Sequence, residues 1–178
     1  MSLVEKQSAL ESKARSWLIE RGVEIDDIAE LVLFLQQKYH PGLELDICRQ
    51  NVEHVLRKRE VQNAVLTGIQ LDVMAEKGEL VQPLQNIISA DEGLYGVDEI
   101  LALSIVNVYG SIGFTNYGYI DKVKPGILAK LNEHDGIAVH TFLDDIVGAI
   151  AAAAASRLAH SYHDDIVNEG GSHHHHHH

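Results

Sequence analysis

The run Gly148-Ala-Ile-Ala-Ala-Ala-Ala-Ala155 constrains this chain more than any other stretch. Alanine is the strongest helix former. A helix ringed by alanine and glycine has few large residues to build a one-sided core face, and it lets neighbouring backbones approach from every side. The run therefore predicts a helix from about Phe142 to His160 at the centre of a bundle, with the other helices packed around it.

The rest of the chain agrees with an all-α fold. Its three prolines are Pro41, Pro83 and Pro125, and between them apolar residues recur at helical spacing rather than in alternation. The spacing predicts a helix over about Leu3–Arg21, stopped by Gly22, and a second from Asp26 or Asp27 to Tyr39, closed by His40-Pro41-Gly42. A long third helix is expected from Asp46 toward Gly78 and a short one over Leu80–Ile88. The connector Ser89-Ala-Asp-Glu-Gly93 then leads to a helix over Val97–Tyr109, which the glycine-rich stretch Gly110–Gly118 ends. A further helix is expected from Pro125 to Asn132, with proline in the first turn, where its missing N–H costs nothing. No repeat or low-complexity linker divides the chain, so residues 1–169 read as a single-domain bundle of about six helices around the alanine-rich one. Residues 170–178, ending in six histidines, read as an expression tag.

Charge and cysteine usage narrow the function. With 26 acids against 14 bases the net charge is −12, which repels nucleic acid. Cys48 is the single cysteine, which excludes an internal disulfide, and no targeting segment opens the sequence, so a reducing cytoplasm is expected. The weakly polar run Ile146–Ala155 covers about half of the roughly 20 residues that a spanning helix needs. A soluble protein is expected. Peripheral membrane contact and homo-oligomer formation are neither required nor excluded.

Two acidic pairs stand in the least polar company available, in Tyr95-Gly-Val-Asp-Glu-Ile-Leu-Ala-Leu-Ser104 and His140-Thr-Phe-Leu-Asp-Asp-Ile-Val-Gly-Ala149. Asp98 and Glu99 can be helix-dipole acids behind Gly96, worth about 0.3–1 kcal/mol each. Asp144 fits a capping box with Thr141. Asp145 fits neither role, and it introduces the most apolar helix in the chain. Burying an unpartnered ion costs several kcal/mol. A hard cation such as Mg²⁺ removes that cost by taking carboxylate oxygens. Asp98, Glu99, Asp144 and Asp145 are therefore the candidate metal ligands. His134 and His140 offer no zinc spacing.

Between the pairs lies Asp121-Lys-Val-Lys-Pro125. Lysine binds phosphate as a point charge, so Lys124 beside four acids implies an anionic, phosphorylated substrate, small molecule or lipid. The polar stripe Glu60, Asn63, Thr67 and Gln70 reads either as a solvated face or as a wall of hydrogen-bond donors on the phosphate, and Ser104, Asn107 and Ser111 repeat it. The aromatics Tyr109, Phe114, Tyr117 and Tyr119 read as core and loop packing.

Together the D-E pair heading a helix, the D-x-x-K-P loop and Phe142-Leu-Asp-Asp-Ile-Val-Gly-Ala-Ile150 resemble the phosphatidylglycerophosphatase A family over about Arg59–His160. The resemblance implies a Mg²⁺-dependent phosphatase of phospholipid metabolism that converts phosphatidylglycerophosphate to phosphatidylglycerol. It implies metal ligation by Asp98, Glu99, Asp144 and Asp145, catalytic roles for Lys124 and Asp121, and substrate contacts from Asn63 and Thr67. Gly118 replaces an arginine expected three residues before the loop aspartate, and the family's G-T-x-G-S stretch survives as Thr67-Gly68. Two rival readings are an all-α, Mg²⁺-dependent nucleotide pyrophosphohydrolase and a non-catalytic helical interaction protein. The first calls for an E-x-x-E pair on one helix. The second calls for acids turned outward and exposed apolar patches on the first two helices.

Overall fold

The computed structural model describes residues 1–133 and 136–174, with side chains up to Tyr162. His134 and His175–His178 of the tag lie outside the described residues. The elements in order are α1 (Leu3–Glu20), α2 (Ile25–Gln36), α3 (Leu45–Leu56), α4 (Arg59–Glu76), α5 (Leu84–Ser89), α6 (Val97–Val106), α7 (Ile112–Val123), α8 (Ile127–Leu131) and α9 (Leu143–His174). A 3₁₀ turn over Asn107–Tyr109 extends α6. The fold is all-α, and no strand occurs among the described residues.

α9 is the central helix. Every position from Thr141 to Ser156 is buried, and α2, α3, α4, α6, α7 and α8 all pack on it. α1 packs against α4. Small side chains make this density possible. Gly68 of α4 sits so close to α9 that a Cβ there would stand 2.3 Å from Ile146 Cδ1 and 3.0 Å from Phe142 Cβ.

Three expectations need correction. The long third helix is two helices, α3 and α4, broken at Arg57-Lys58. The buried amide of Gln62 donates to the Leu56 carbonyl at 2.8 Å, satisfying an acceptor that the broken ladder leaves over. Since no glycine or proline marks the break, local sequence gave no sign of it. The glycine-rich stretch after Tyr109 is the first half of α7 rather than a loop. Gly113 is there for close packing, since a Cβ would lie 2.8 Å from Val106 Cγ1. The third correction concerns the start of α9. Thr141 does not cap it, because its hydroxyl donates to the Ile88 carbonyl at 2.6 Å.

The cap of α9 comes from α4. Asp72, fully buried, accepts the N–H groups of Phe142 and Leu143, each at 3.0 Å. One turn further along α4, Glu76 pairs with both terminal nitrogens of Arg21 and accepts the Val139 N–H at 2.8 Å, while Arg21 donates to the Val139 carbonyl at 2.7 Å. Together Asp72, Glu76 and Arg21 pin the segment 139–143 and so fix where Asp144 and Asp145 emerge.

Candidate functional site

The two acidic pairs meet at one end of the bundle. α6 begins at Gly96, whose φ of 77° turns the chain into the helix, and Asp98 and Glu99 fill its first turn. α9 brings Asp144 and Asp145, which are 7% and 6% exposed and so belong to the core as much as to the surface. These four acids share a cavity of about 210 Å³ with Asp121 and Lys124.

Lys124 is the one base in the lining, and local backbone geometry places it there. Asp121 lies in the last turn of α7 rather than in a loop. Lys124 follows as the C-cap, its N–H donating to the Ile120 carbonyl at 2.8 Å. It adopts the left-handed conformation, φ 49° and ψ 58°, which costs an L-residue on the order of 1 kcal/mol. The resulting geometry sets its ammonium 3.1 Å from Asp121 Oδ1, to which it donates, and 3.6 Å from Asp144 Oδ2. Pro125 then prevents the helix from continuing.

Sequence reasoning missed part of this cavity. Asp91 and Glu92, from the connector between α5 and α6, line it too, as do Gly93 and Asn132. Seven acids therefore face one lysine. Asp91 and Glu92 stand only seven residues before Asp98 and Glu99, so proximity in sequence was the available signal. Asn63 and Thr67, by contrast, are exposed on α4 and do not line the cavity; with Glu60 and Gln70 they form a solvated stripe. Ser104, Asn107 and Ser111 are exposed as well.

The electrostatics follow from burial and crowding. Burial pushes the Asp145 carboxyl well above the carboxylate range; the neighbouring Asp144 adds to this, and Asp98 stands within hydrogen-bond reach of it. Asp144 is also raised by burial, with Lys124 pulling the other way. Burial disfavours the Lys124 ammonium, yet Asp144 and Asp121 outweigh that effect and raise its pKa. Without a cation the cluster is stabilised by shared protons and by one lysine.

The donor set consists of oxygens, and three acids from three helices, Asp98, Asp121 and Asp145, meet without a second base to neutralise them. This chemistry suits a hard divalent cation bound through one or two carboxylates and water. Among the described residues no three acids or histidines stand close enough to cage an ion by themselves. An open site of this kind leaves coordination positions for water and substrate. The larger cavity beside Tyr39, His40 and Tyr162, about 460 Å³, carries no acid and offers no such chemistry.

Comparison with known proteins agrees on the fold and the motifs. Residues 17–160 match the family described as phosphatidylglycerophosphatase A. The chain is 67% identical over 160 residues to the uncharacterized protein YutG of Bacillus subtilis, covering 90% of this chain and 96% of that protein. It is 60% identical over 149 residues to the uncharacterized protein YpjQ of the same organism, covering 83% of each. Among solved structures, a protein of unknown function from Bacillus stearothermophilus shares 70% identity with a TM-score of 0.84, over 85% of this chain and 94% of that one. The crystal structure of YpjQ from Bacillus subtilis shares 55% identity with a TM-score of 0.85, over 89% and 98% respectively.

Proposed function

The chain belongs to the phosphatidylglycerophosphatase A family, and on that premise we propose that it is a Mg²⁺-dependent phosphatase acting on a phosphate monoester, foremost phosphatidylglycerophosphate. The observation that carries this reading is Lys124, held between Asp121 and Asp144 at the edge of a cavity otherwise lined by acids. An ammonium in that position gives an anionic group a place to bind that carboxylates alone would repel.

Asp98, Glu99, Asp144 and Asp145 would hold the metal. When bound, Mg²⁺ supplies Lewis-acid polarisation of the phosphoryl oxygens and lowers the pKa of a water nucleophile. Lys124 binds the transferring phosphoryl group and stabilises its charge. Asp121 fixes that ammonium through the 3.1 Å hydrogen bond, a positioning role that its geometry favours over proton abstraction. Asn63 and Thr67 stand outside the cavity and take no part in this reading. Nor does the structure favour an outward-facing, non-catalytic acidic surface, because Asp144 and Asp145 are buried toward the cavity.

The lipid or soluble nature of the ester is a matter for assay. Among the described residues no helix is long and apolar enough to cross a membrane. A lipid substrate would have to be met at the bilayer surface. The test is phosphate release with and without Mg²⁺ from phosphatidylglycerophosphate, soluble glycerophosphates and nucleoside triphosphates, each run beside Asp145→Asn. Mg²⁺-dependent release from a monoester, lost in Asp145→Asn, is the expected result. Undiminished release by a folded Asp145→Asn protein sinks the assignment, and preferential cleavage of triphosphates would favour the pyrophosphohydrolase reading.

A further inference from the structure

Behind the acidic cavity stands a side chain that the family motifs do not include. Tyr117 lies on α7 one turn before Asp121, so both project from the same side of the helix. Its ring packs on α9 at Gly148, where a Cβ would stand 3.7 Å from Tyr117 Cε1. The residue is 6% exposed, and its hydroxyl is buried with no hydrogen-bond partner.

That hydroxyl is costly where it is. A buried polar group left unpaired costs about 1–3 kcal/mol. Phenylalanine would fill nearly the same volume without the penalty. The groups that act on the phenol electrostatically are, in order of strength, Asp145, Asp121, Glu99 and Asp144, and these belong to the acidic cavity. Burial, with those acids behind it, raises the phenol pKa far above its ordinary value, so the group keeps its proton and serves as a donor. The cavity lining does not include Tyr117, so it does not touch a molecule bound there.

We propose that Tyr117 is a positioning residue, whose hydroxyl donates to the carboxylate cluster from behind, to Asp145 directly or through an ordered water, and so orients the oxygens that face the cavity. The inference rests on the metal-site reading given above. Donors of this kind fix the orientation of metal-binding groups, and their loss typically weakens metal affinity 10–100-fold. The unpaired hydroxyl belongs to a cluster whose carboxyls are held by protons; once those carboxyls are ionised, they become acceptors for it.

The test is Mg²⁺ binding by calorimetry, without substrate, on the wild-type chain and on Tyr117→Phe. The Phe variant is expected to melt at or above the wild-type temperature without metal, since it loses only an unpaired group. Its Mg²⁺ affinity is expected to fall tenfold or more. Equal affinity, within twofold, overturns the inference and leaves the metal site standing. Absence of Mg²⁺ binding by the wild-type protein overturns both. Should the variant fail to fold, the wild-type protein still answers. Mg²⁺ is then expected to shift the ultraviolet resonance Raman bands of a buried tyrosine to those of a hydrogen-bond donor, and an unchanged spectrum counts against the proposal.

Discussion

Asp72 Oδ1 accepts the backbone N–H of Phe142 at 3.0 Å, across 70 residues of sequence. Through this bond and its partner to Leu143, α4 caps the helix that carries Asp144 and Asp145. The carboxyl sits at the positive end of that helix, which favours negative charge there. Burial nonetheless pushes Asp72 up to about 8, against the pull of the two N–H donors.

Asp72→Ala is expected to cost about 2–3 kcal/mol, because a cap is worth about 1 kcal/mol and the buried N–H groups left behind add about 1–3 kcal/mol. Chemical denaturation measures it. The pH dependence has a defined sign. A carboxyl whose folded pKa lies above its unfolded value stabilises the fold fully below the unfolded value, and that contribution is lost as pH rises through about 8. The stability difference between wild type and Asp72→Asn should therefore shift against the wild type between about pH 4 and pH 8.

Asp145→Asn should change stability in opposite senses with and without metal. Without a divalent ion it removes a buried acid crowded by Asp144 and Asp98, so the variant should gain on the order of 1 kcal/mol or more. Its advantage should grow with pH, since the raised acid costs the wild type more as it ionises. With Mg²⁺ at a hundred times its Kd, the wild type should gain about 2.7 kcal/mol and the variant much less. Thermal melts at several Mg²⁺ concentrations would show the crossing.

Lys124→Met separates the anion from the cation. The ammonium lies 3.6 Å from Asp144 and competes with any metal for the acidic charge, so its loss should leave Mg²⁺ affinity unchanged or tighter. Phosphate release should nevertheless fall about 100-fold or more, the usual effect of removing a donor that stabilises transition-state charge. Equal losses in both measurements would place Lys124 in a purely structural role.

Two glycines facing the same core should respond in opposite directions to alanine. At Gly148 a Cβ would meet Ile120, Tyr117 and Leu128 at 3.6–3.8 Å, ordinary contacts, and the helix would gain about 0.5–1 kcal/mol. At Gly68 the same methyl would fall 2.3 Å from Ile146 Cδ1 and 3.0 Å from Phe142 Cβ, forcing α4 away from α9 at a cost of about 1–3 kcal/mol. Denaturation midpoints of Gly68→Ala and Gly148→Ala decide it.

The amino-acid sequence by itself determined the helices, the central place of the alanine-rich one, and the grouping of Asp98, Glu99, Asp121, Lys124, Asp144 and Asp145 as candidates. Those are properties of local spacing: helical period, residue size around a helix, and charges placed where apolar company makes them costly. Only the tertiary structure decided the rest. The cap on α9 passed from Thr141 to Asp72, the break at Arg57-Lys58 was stabilised by Gln62, and Asp91 and Glu92 joined the cavity while Asn63 and Thr67 turned to solvent. The polar contacts among these carry no periodic signature. A buried hydrogen bond between residues 70 apart is chosen by which donors the packed chain leaves unsatisfied, and that is known only once the helices have met.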